Sequence, residues 1–459
     1  MQWFFRDVPF LRRMMAVALP VSVQLLISTS INMADTVMIS SLGKESIAAV
    51  GLVNQYVFFF MVVSFGICSA GAVFFAQYYG SRDVENVRRY LAISLQLAVS
   101  VALVFTVVSL LFPAQIMRML IPDPAVIREG TGYLRIIALT FVFTGISQAF
   151  NTVLRSVNRA NEPLKVSVAA FFTNVFFNYM FIFGKFGAPA LGVLGAAIGT
   201  LIARTLEVGL LTYLIWHGKT ATFDVRPLGL TSLQRGRMKR YFGIAMPIIA
   251  AETQWSFAQL LFAVAYARIG AQASAAMQLT ATIQNVFFII VNSMASAAAV
   301  LIGHALGADE VEKAKTEGTY FLQLTILSGL LSTVILVLLP DLLLGIYTGL
   351  EPSLYTTARA LLVIRGLFIT FRFLNGMLFV GIFRAGGDTK IPFFIEICTM
   401  WLFAVPMAFL GVLVLHWPIE WIFVIVSMEE FIKMFALVPR YRSGKWMRNL
   451  TESEAEHAA

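Results

Sequence analysis

Polar side chains recur at helical spacing within apolar stretches of the first half of the sequence. Gln24, Ser28, Asn32 and Asp35 follow one another at intervals of 4, 4 and 3 residues, which places them on one face of a helix. A charge in the hydrocarbon core of a bilayer costs at least about 2.5 kcal/mol, so an acid there usually faces a cavity or a partner. The pattern marks Asp35 as a candidate functional acid.

Amide and hydroxyl side chains occur at a matching depth on two later apolar stretches. Asn174 and Asn178 share one helical face, and Thr200 lies on the next stretch. At 1.5 Å per residue, Asp35, Asn178 and Thr200 all lie roughly 10–15 Å below the predicted outer surface. They can therefore meet inside the first half of the protein.

Asp35, Asn174, Asn178 and Thr200 together form a candidate cation-coupling site. One carboxylate with amide and hydroxyl oxygens is a hard-oxygen set that suits Na⁺, with Asp35, Asn174 and Asn178 as the ligands. Alternatively, the carboxylate alone takes up H⁺. The plainer alternative is that Asp35 only hydrogen-bonds neighbouring helices. No other metal site and no tightly bound cofactor is predicted.

A second polar set surrounds an acid in the second half. Glu252 lies near the middle of its predicted span, close to Trp255, and could attract a cationic aromatic molecule through charge and cation–π contact. It could equally be a structural acid paired with Gln or Arg. The candidates for a substrate cavity, taken over both halves, are Gln24, Asn32, Glu252, Trp255, Gln259, Gln278, Asn285 and Asn375.

Other charges inside the apolar stretches are predicted to be structural. Arg204 and Glu207 have the spacing of an ion pair within one helix. Arg365 and Arg372 share a helical face, with Glu396 on the next span, and we expect pairing between helices rather than contact with substrate.

The composition defines the elements that must hold these residues. Of 459 residues, 59% are apolar and 13% are charged, against about 25% charged in soluble proteins. This excludes a disordered chain, a disulfide scaffold and an ordinary soluble enzyme. A polytopic helical membrane protein remains. Twelve stretches are long enough to cross a hydrocarbon core of about 30 Å: 16–40, 47–78, 90–113, 133–154, 166–184, 190–216, 241–266, 275–302, 319–345, 357–383, 391–415 and 418–438.

The basic residues indicate the orientation. The net charge is +9, from 34 Lys and Arg against 25 Asp and Glu, and 24 of the 34 lie at the N-terminus, in the even-numbered loops or in the C-terminal tail. Lys and Arg accumulate on the cytoplasmic side of short loops. We therefore expect both termini to be cytoplasmic, in a bacterial inner membrane.

The two halves are duplicates. At a shift of 227 residues, Pro20 falls on Pro247 and Gly43 on Gly270, and at a shift of 229 Arg155 falls on Arg384. Six spans per half make a parallel repeat related by an axis along the membrane normal. The predicted division is an N-terminal six-helix lobe at 1–216, a cytoplasmic linker at 217–240, a C-terminal lobe at 241–438 and a cytoplasmic tail at 439–459.

Along its whole length the sequence resembles the multidrug and toxic compound extrusion (MATE) family. The motifs that carry the resemblance are Met33-Ala34-Asp35-Thr36-Val37-Met38-Ile39, Leu42-Gly43, Ala48-Ala49-Val50-Gly51, Asn174-Val175-Phe176-Phe177-Asn178-Tyr179, Gly192-Val193-Leu194-Gly195-Ala196-Ala197, Ala305-Leu306-Gly307-Ala308 and Phe383-Arg384-Ala385-Gly386-Gly387-Asp388-Thr389. The resemblance implies a V-shaped pair of six-helix lobes that exports cationic amphiphiles in exchange for Na⁺ or H⁺.

The resemblance also implies roles for individual residues. The first-lobe cation site of the family maps onto Asp35, Asn174, Asn178 and Thr200. Some members have an aspartate where this chain has Asn178. Others have a carboxylate pair in spans seven and ten; here Glu252 lies near the first position and Asn375 about at the second.

The sequence therefore predicts a secondary antiporter that works by alternating access, and not an enzyme. Its partners would be small cationic or aromatic molecules and the lipid bilayer, with no nucleic acid, and it would be a monomer. The phosphate-loop motif of ATPases is missing, because Tyr213 stands where its upstream glycine belongs. The alternative is a lipid-linked oligosaccharide flippase. Twelve spans, and acidic rather than basic deep residues, weigh against it.

Overall fold

The computed structural model describes residues 4–217, 234–347 and 349–451. They form helices and short turns, with no strand among them. The helices are α1 (Val8–Ser40), α2 (Lys44–Gly80), α3 (Val84–Leu111), α4 (Pro113–Leu120), α5 (Pro124–Ser156), α6 (Asn161–Phe183), α7 (Val193–His217), α8 (Arg235–Ile269), α9 (Ala271–Gly307), α10 (Val311–Leu338), α11 (Pro340–Leu344), α12 (Pro352–Gly376), α13 (Lys390–Thr399), α14 (Val405–Leu413) and α15 (Ile419–Arg442). A 3₁₀ turn at Phe4–Arg6 precedes them.

Eleven helical stretches of the described residues are long and apolar enough to cross a membrane. One of them continues α12 through a π-helical segment at Met377–Phe383, and another joins α13 to α14 through the π-helical segment Met400–Ala404. The predicted all-α polytopic membrane protein is confirmed.

The twelfth predicted span corresponds to α15, which is long enough but carries several charges. Lys433 Nζ lies 2.7 Å from Glu429 Oε1, and both side chains are only 5% exposed. Because a buried charge must be compensated, this pairing allows the charged residues to lie inside the helix bundle.

The helices group into two compact units. The first unit comprises the described parts of residues 19–245, and the second unit comprises the described parts of 1–18 and 246–459. The boundaries lie beside Pro20 and Pro247, the repeat-related prolines inside α1 and α8. A proline removes one helical hydrogen bond, which loosens the helix at that point.

The first residues of α1 therefore pack in the second unit. The predicted division had instead placed them in the N-terminal lobe. The Phe10 ring lies 5.1 Å from that of Tyr320 and 5.2 Å from that of Phe321. The start of α8 likewise packs in the first unit, where Tyr241 donates to the carbonyl of Ile67 at 2.6 Å. Residues 218–233, most of the predicted linker, lie outside the described residues, as do 452–459 of the predicted tail.

The duplication extends to the local backbone. Gly43 precedes α2 and Gly270 precedes α9, both at positive φ. Arg82 and Asp309 both have φ 61° in the turns that follow these helices. Each unit has its own apolar core, one around Phe60, Phe141 and Leu134 and the other around Phe262, Phe373 and Phe423. The two halves thus share their helix order and their turns.

Candidate functional site

The polar residues of the first unit meet where α1, α6 and α7 pack together. The Asn178 side-chain amide donates to Asp35 Oδ1 at 2.6 Å and to Asn174 Oδ1 at 3.2 Å. Asn174 in turn donates to Thr200 Oγ1 at 3.3 Å. The structure thus joins the four residues predicted for cation coupling in one hydrogen-bonded series.

Burial is greatest at the centre of this series. Asn178 and Asn174 are 0% and 2% exposed, whereas Asp35 and Thr200 are half-buried. Asn178 Oδ1 has no hydrogen-bond partner among the described residues. The amide fits only because α7 has a glycine opposite it: a Cβ at Gly199 would lie 2.1 Å from Asn178 Oδ1. A buried carbonyl oxygen without a partner raises the free energy of the folded protein. A hydrogen-bond donor or a cation that binds this oxygen would therefore be stabilising.

The nearest basic group is compensated within its own helix. Arg204 Nη1 lies 2.7 Å from Glu207 Oε2, which confirms the predicted ion pair. Arg204 is close enough to Asp35 to interact with it electrostatically, but it makes its direct contact with the buried Glu207. The Asp35 carboxylate therefore has an amide donor, rather than an ion pair, as its hydrogen-bond partner.

The other candidates of the first unit lie apart from this series. Gln24 is buried, donates to Ser167 Oγ at 2.8 Å and accepts from Arg155 Nη2 at 2.6 Å. Asn32 is exposed. Arg155 is not among the predicted site residues, although its repeat partner Arg384 lies in a recognisable motif.

In the second unit, Glu252 and Asn375 have different partners. Glu252 Oε1 accepts from Arg384 Nη2 at 2.5 Å, which matches the alternative of a structural acid. Asn375 donates to Glu430 Oε2 at 2.7 Å and to the Glu430 carbonyl at 2.8 Å. Asn375 and Arg384 flank the π-helical segment after α12, and such segments are frequent at functional sites.

A cavity of about 80 Å³ lies in the second unit. Two of the predicted cavity residues, Trp255 and Gln259, line it. Gln278 and Asn285 are exposed on α9 instead, and Gln284 of that helix faces the cavity. Further lining residues are Arg365, Arg372, Phe423, Glu429 and Glu430.

The arginines of α12 contact neighbouring helices, as predicted, but Glu396 is not their partner. Arg372 Nε lies 3.9 Å from Glu430 Oε1, on α15. Arg365 donates to Thr280 Oγ1 at 3.0 Å and to Gln284. The reason is the packing order: α15, rather than α13, supplies the carboxylate that faces α12. The acidic pair Glu429-Glu430 within an apolar stretch was the signal that sequence reasoning overlooked.

None of the described residues form a group of three or more His, Cys, Asp or Glu side chains that could hold a metal ion. The candidate site at Asp35 has one carboxylate with two amides and a hydroxyl. Such a site can neutralise a monovalent cation, H⁺ or Na⁺, with a single negative charge.

Helices of this length, a polar series inside one unit and two repeated units are typical of membrane transporters built from a parallel repeat. The family model MatE matches the chain twice, over residues 20–180 and 247–410. The chain therefore belongs to the MATE family of membrane transporters. The predictions of this family, and of a transporter rather than an enzyme, are confirmed.

Known relatives resemble the chain over most of its length. It is 24% identical to the uncharacterized transporter YisQ of Bacillus subtilis, over 94% of this chain and 93% of that protein. It is 29% identical to the multidrug resistance protein NorM of Burkholderia vietnamiensis, over 82% and 81% of the two chains. A crystal structure of MATE in complex with MaL6 has a TM-score of 0.85 at 18% identity and covers 94% of this chain and 96% of its own. This last likeness confirms the two-lobe helical fold.

Proposed function

We propose that this transporter is an antiporter that exports cationic amphiphilic drugs or toxic metabolites in exchange for Na⁺ or H⁺. The observation that carries the proposal is the hydrogen bond from the buried Asn178 to Asp35, continued to Asn174 and Thr200. The family membership and the relatives' name, multidrug resistance protein, support the same substrate class. They favour an exporter over the alternative of an oligosaccharide flippase.

The Asn178 side-chain amide would flip when the coupling ion binds, so that its oxygen rather than its N–H faces Asp35. With Asp35 ionised, Asn178 donates its N–H to the carboxylate. A protonated Asp35 would instead donate its proton to Asn178 Oδ1, which now lacks a partner. Na⁺ would take the same oxygen together with the Asp35 carboxylate, Asn174 Oδ1 and Thr200 Oγ1. Either ion therefore satisfies the buried oxygen.

This rearrangement would change how α1 is held. A hydrogen bond to a charged carboxylate is about twice as strong as a neutral one, so neutralising Asp35 weakens the link between α1 and α6. An ion shifts a two-state equilibrium only by its differential affinity for the two states. The coupling ion must therefore bind more tightly to the state that releases substrate outside.

The substrate needs more room than the cavity of the second unit offers. Drug-sized ligands occupy pockets of about 300–1,000 Å³, and this cavity has about 80 Å³. The exposed candidates Asn32, Gln259, Gln278 and Asn285 are free to contact a ligand along its path. We also propose a monomer with cytoplasmic termini in a bacterial inner membrane.

The test is efflux of a fluorescent cation from proteoliposomes under separately imposed Na⁺ and pH gradients. We expect one gradient to drive efflux by the wild-type protein and the Asp35→Asn variant to respond to neither gradient.

The matched control is Asp341→Asn on the short helix α11. Arg359 and Tyr355 both donate to Asp341, which lowers the pKa of that carboxyl, so it stays ionised throughout the assay. Its replacement should leave the ion dependence unchanged. Gradient-driven efflux by Asp35→Asn at the wild-type rate would remove Asp35 from the mechanism.

A further inference from the structure

A groove of about 720 Å³ lies in the first unit where α4 meets the start of α5. Three arginines line it, Arg118 on α4 and Arg128 and Arg135 on α5. Arg128, Thr131 and Arg135 are spaced by 3 and 4 residues and so share one face of α5. The groove is therefore lined by three arginines and one threonine.

No described residue forms an ion pair or a hydrogen bond with any of these three guanidinium groups, and all three side chains are exposed. The two nearby carboxylates are engaged elsewhere. Asp123 caps α5 by accepting from the backbone N–H of Ala125 at 2.8 Å, and Glu129 accepts from Ser46 Oγ at 2.7 Å. The three arginines of the groove therefore have no direct ion pair among the described residues.

Thr131 adds a neutral donor to the groove. Its Oγ1 is buried and has no hydrogen-bond partner among the described residues. A hydroxyl can donate to an oxyanion, and an unsatisfied buried hydroxyl favours a ligand that accepts its proton. The position of α4 over the groove is fixed because Met117 is fully buried in the core of the unit.

The location of this charge is unusual for a membrane protein. Within the first unit, the end of the helix bundle that carries the groove is poor in basic residues, as expected for the outer side. The five Lys and Arg side chains at that end are Lys44, Arg118, Arg128, Arg135 and Lys185. Three of the five line one groove. The charge bias that orients a membrane protein does not require such a cluster.

We propose that this groove binds the phosphodiester group of an anionic phospholipid. Guanidinium groups match phosphate oxygens with paired hydrogen bonds, and three of them with a hydroxyl suit one phosphodiester. A lipid is favoured over a soluble phosphate because apolar side chains also line the groove, among them Ile121, Pro124 and Ile127. Acyl chains would lie along these residues.

The test is native mass spectrometry of the purified full chain, titrated with phosphatidylglycerol or with phosphatidylcholine. We expect tighter binding of phosphatidylglycerol. Each of Arg118→Gln, Arg128→Gln and Arg135→Gln should weaken it roughly fivefold, and the triple variant should lose the preference between the two lipids.

Three controls make the assignment specific. Lys185→Gln removes a charge at the same end but outside the groove and should change nothing, whereas Thr131→Val, which keeps all three arginines, should weaken phosphatidylglycerol binding. Displacement by inorganic phosphate would overturn the lipid assignment in favour of a soluble phosphate. An unchanged preference in the triple variant would overturn the site altogether. Both results are independent of ion-coupled efflux, so this inference and the proposed function fail separately.

Discussion

At the residue scale, one amide decides what the Asp35 site can do. Asn178 is fully buried and can offer either an N–H or a carbonyl oxygen to Asp35. An aspartate at this position would bring a second negative charge, whereas asparagine leaves Asp35 as the carboxylate of the hydrogen-bonded series. We infer that the Asn178 amide changes its hydrogen bonds with the charge state of Asp35. This change would alter the contacts between α6 and α7.

Gly199→Ala should damage this site specifically. The added Cβ would lie 2.1 Å from Asn178 Oδ1 and 2.8 Å from Asn178 N, so α6 and α7 would have to separate. We expect a loss of about 1–3 kcal/mol in stability, typical of overpacking, and weaker ion dependence of efflux. The readouts are thermal unfolding in detergent and gradient-driven efflux.

Gly209→Ala is the control on the same helix, because an added Cβ there meets nothing within 4 Å. Alanine has the higher helix propensity, so this variant should unfold at the same or a higher temperature. Equal effects of the two substitutions would contradict a special role for Gly199.

At this scale the sequence predicts the depth of the polar side chains in the membrane, but not their hydrogen-bond partners. The depth of Asp35, Asn178 and Thr200 followed from counting residues along helices of known rise. The partner of Gln24 could not be found in this way, because Arg155 reaches it with a long, flexible side chain. The helical rotation of α9 was also ambiguous, since polar residues occupy more than one of its faces, and Gln284 rather than Gln278 faces the cavity.

At the element scale, the segment after α15 packs against the loop that follows the π-helical segment of the second unit. Trp446 is 1% exposed, stacks on Tyr441 and donates its indole N–H to the Tyr441 carbonyl at 3.1 Å. Its backbone touches Gly386 so closely that a Cβ there would lie 1.8 Å from the Trp446 carbonyl oxygen. Asp388 in the same loop lies 2.7 Å from Arg440 Nε. This segment therefore holds the loop that begins with Arg384.

Trp446→Ala should destabilise the protein by about 3–5 kcal/mol, as expected for removing a buried tryptophan. It should also slow efflux, because the loop that positions Arg384 against Glu252 loses its support. Thermal unfolding and efflux measure the two effects. Trp421→Ala, at a residue of α15 that is 62% exposed, is the control and should change the unfolding temperature little. Similar losses from both variants would contradict a supporting role of Trp446 for this loop.

The packing order of the second unit could not be predicted from the sequence. Glu396 lies on α13, the next α-helix along the chain after α12, and helices adjacent in sequence are usually adjacent in space. Here Glu430 of α15 faces Arg372, and the π-helical segment after α12 adds a local irregularity that apolar periodicity does not reveal. The length and apolar composition of the membrane-spanning stretches, in contrast, were sufficient to predict the helices themselves.

At the scale of the whole molecule, the two units share a fold but differ in charge. The repeat-related residues Arg155 and Arg384 contact a neutral Gln24 and an acidic Glu252, respectively. Asp35 has an amide partner, while Glu252 is compensated by an arginine. We infer that duplication supplied two similar units and that their acids then diverged, Asp35 keeping an amide partner and Glu252 gaining an arginine.

Glu252→Gln should therefore preserve ion coupling. The amide would leave Arg384 with a neutral partner, an arrangement that Arg155 and Gln24 already show to be compatible with the fold. We expect a folded protein whose efflux is a few-fold slower but has the wild-type dependence on the imposed gradient. Loss of that dependence would place coupling in the second unit.

The most direct test of ion exchange measures the ion rather than the substrate. Proteoliposomes containing the wild-type protein or Asp35→Asn are given a substrate gradient with no ion gradient, and Na⁺ and H⁺ movement is recorded. The wild-type protein should move one of the two ions against the substrate flow, and Asp35→Asn should move neither. Equal ion movement by both proteins would contradict exchange at Asp35.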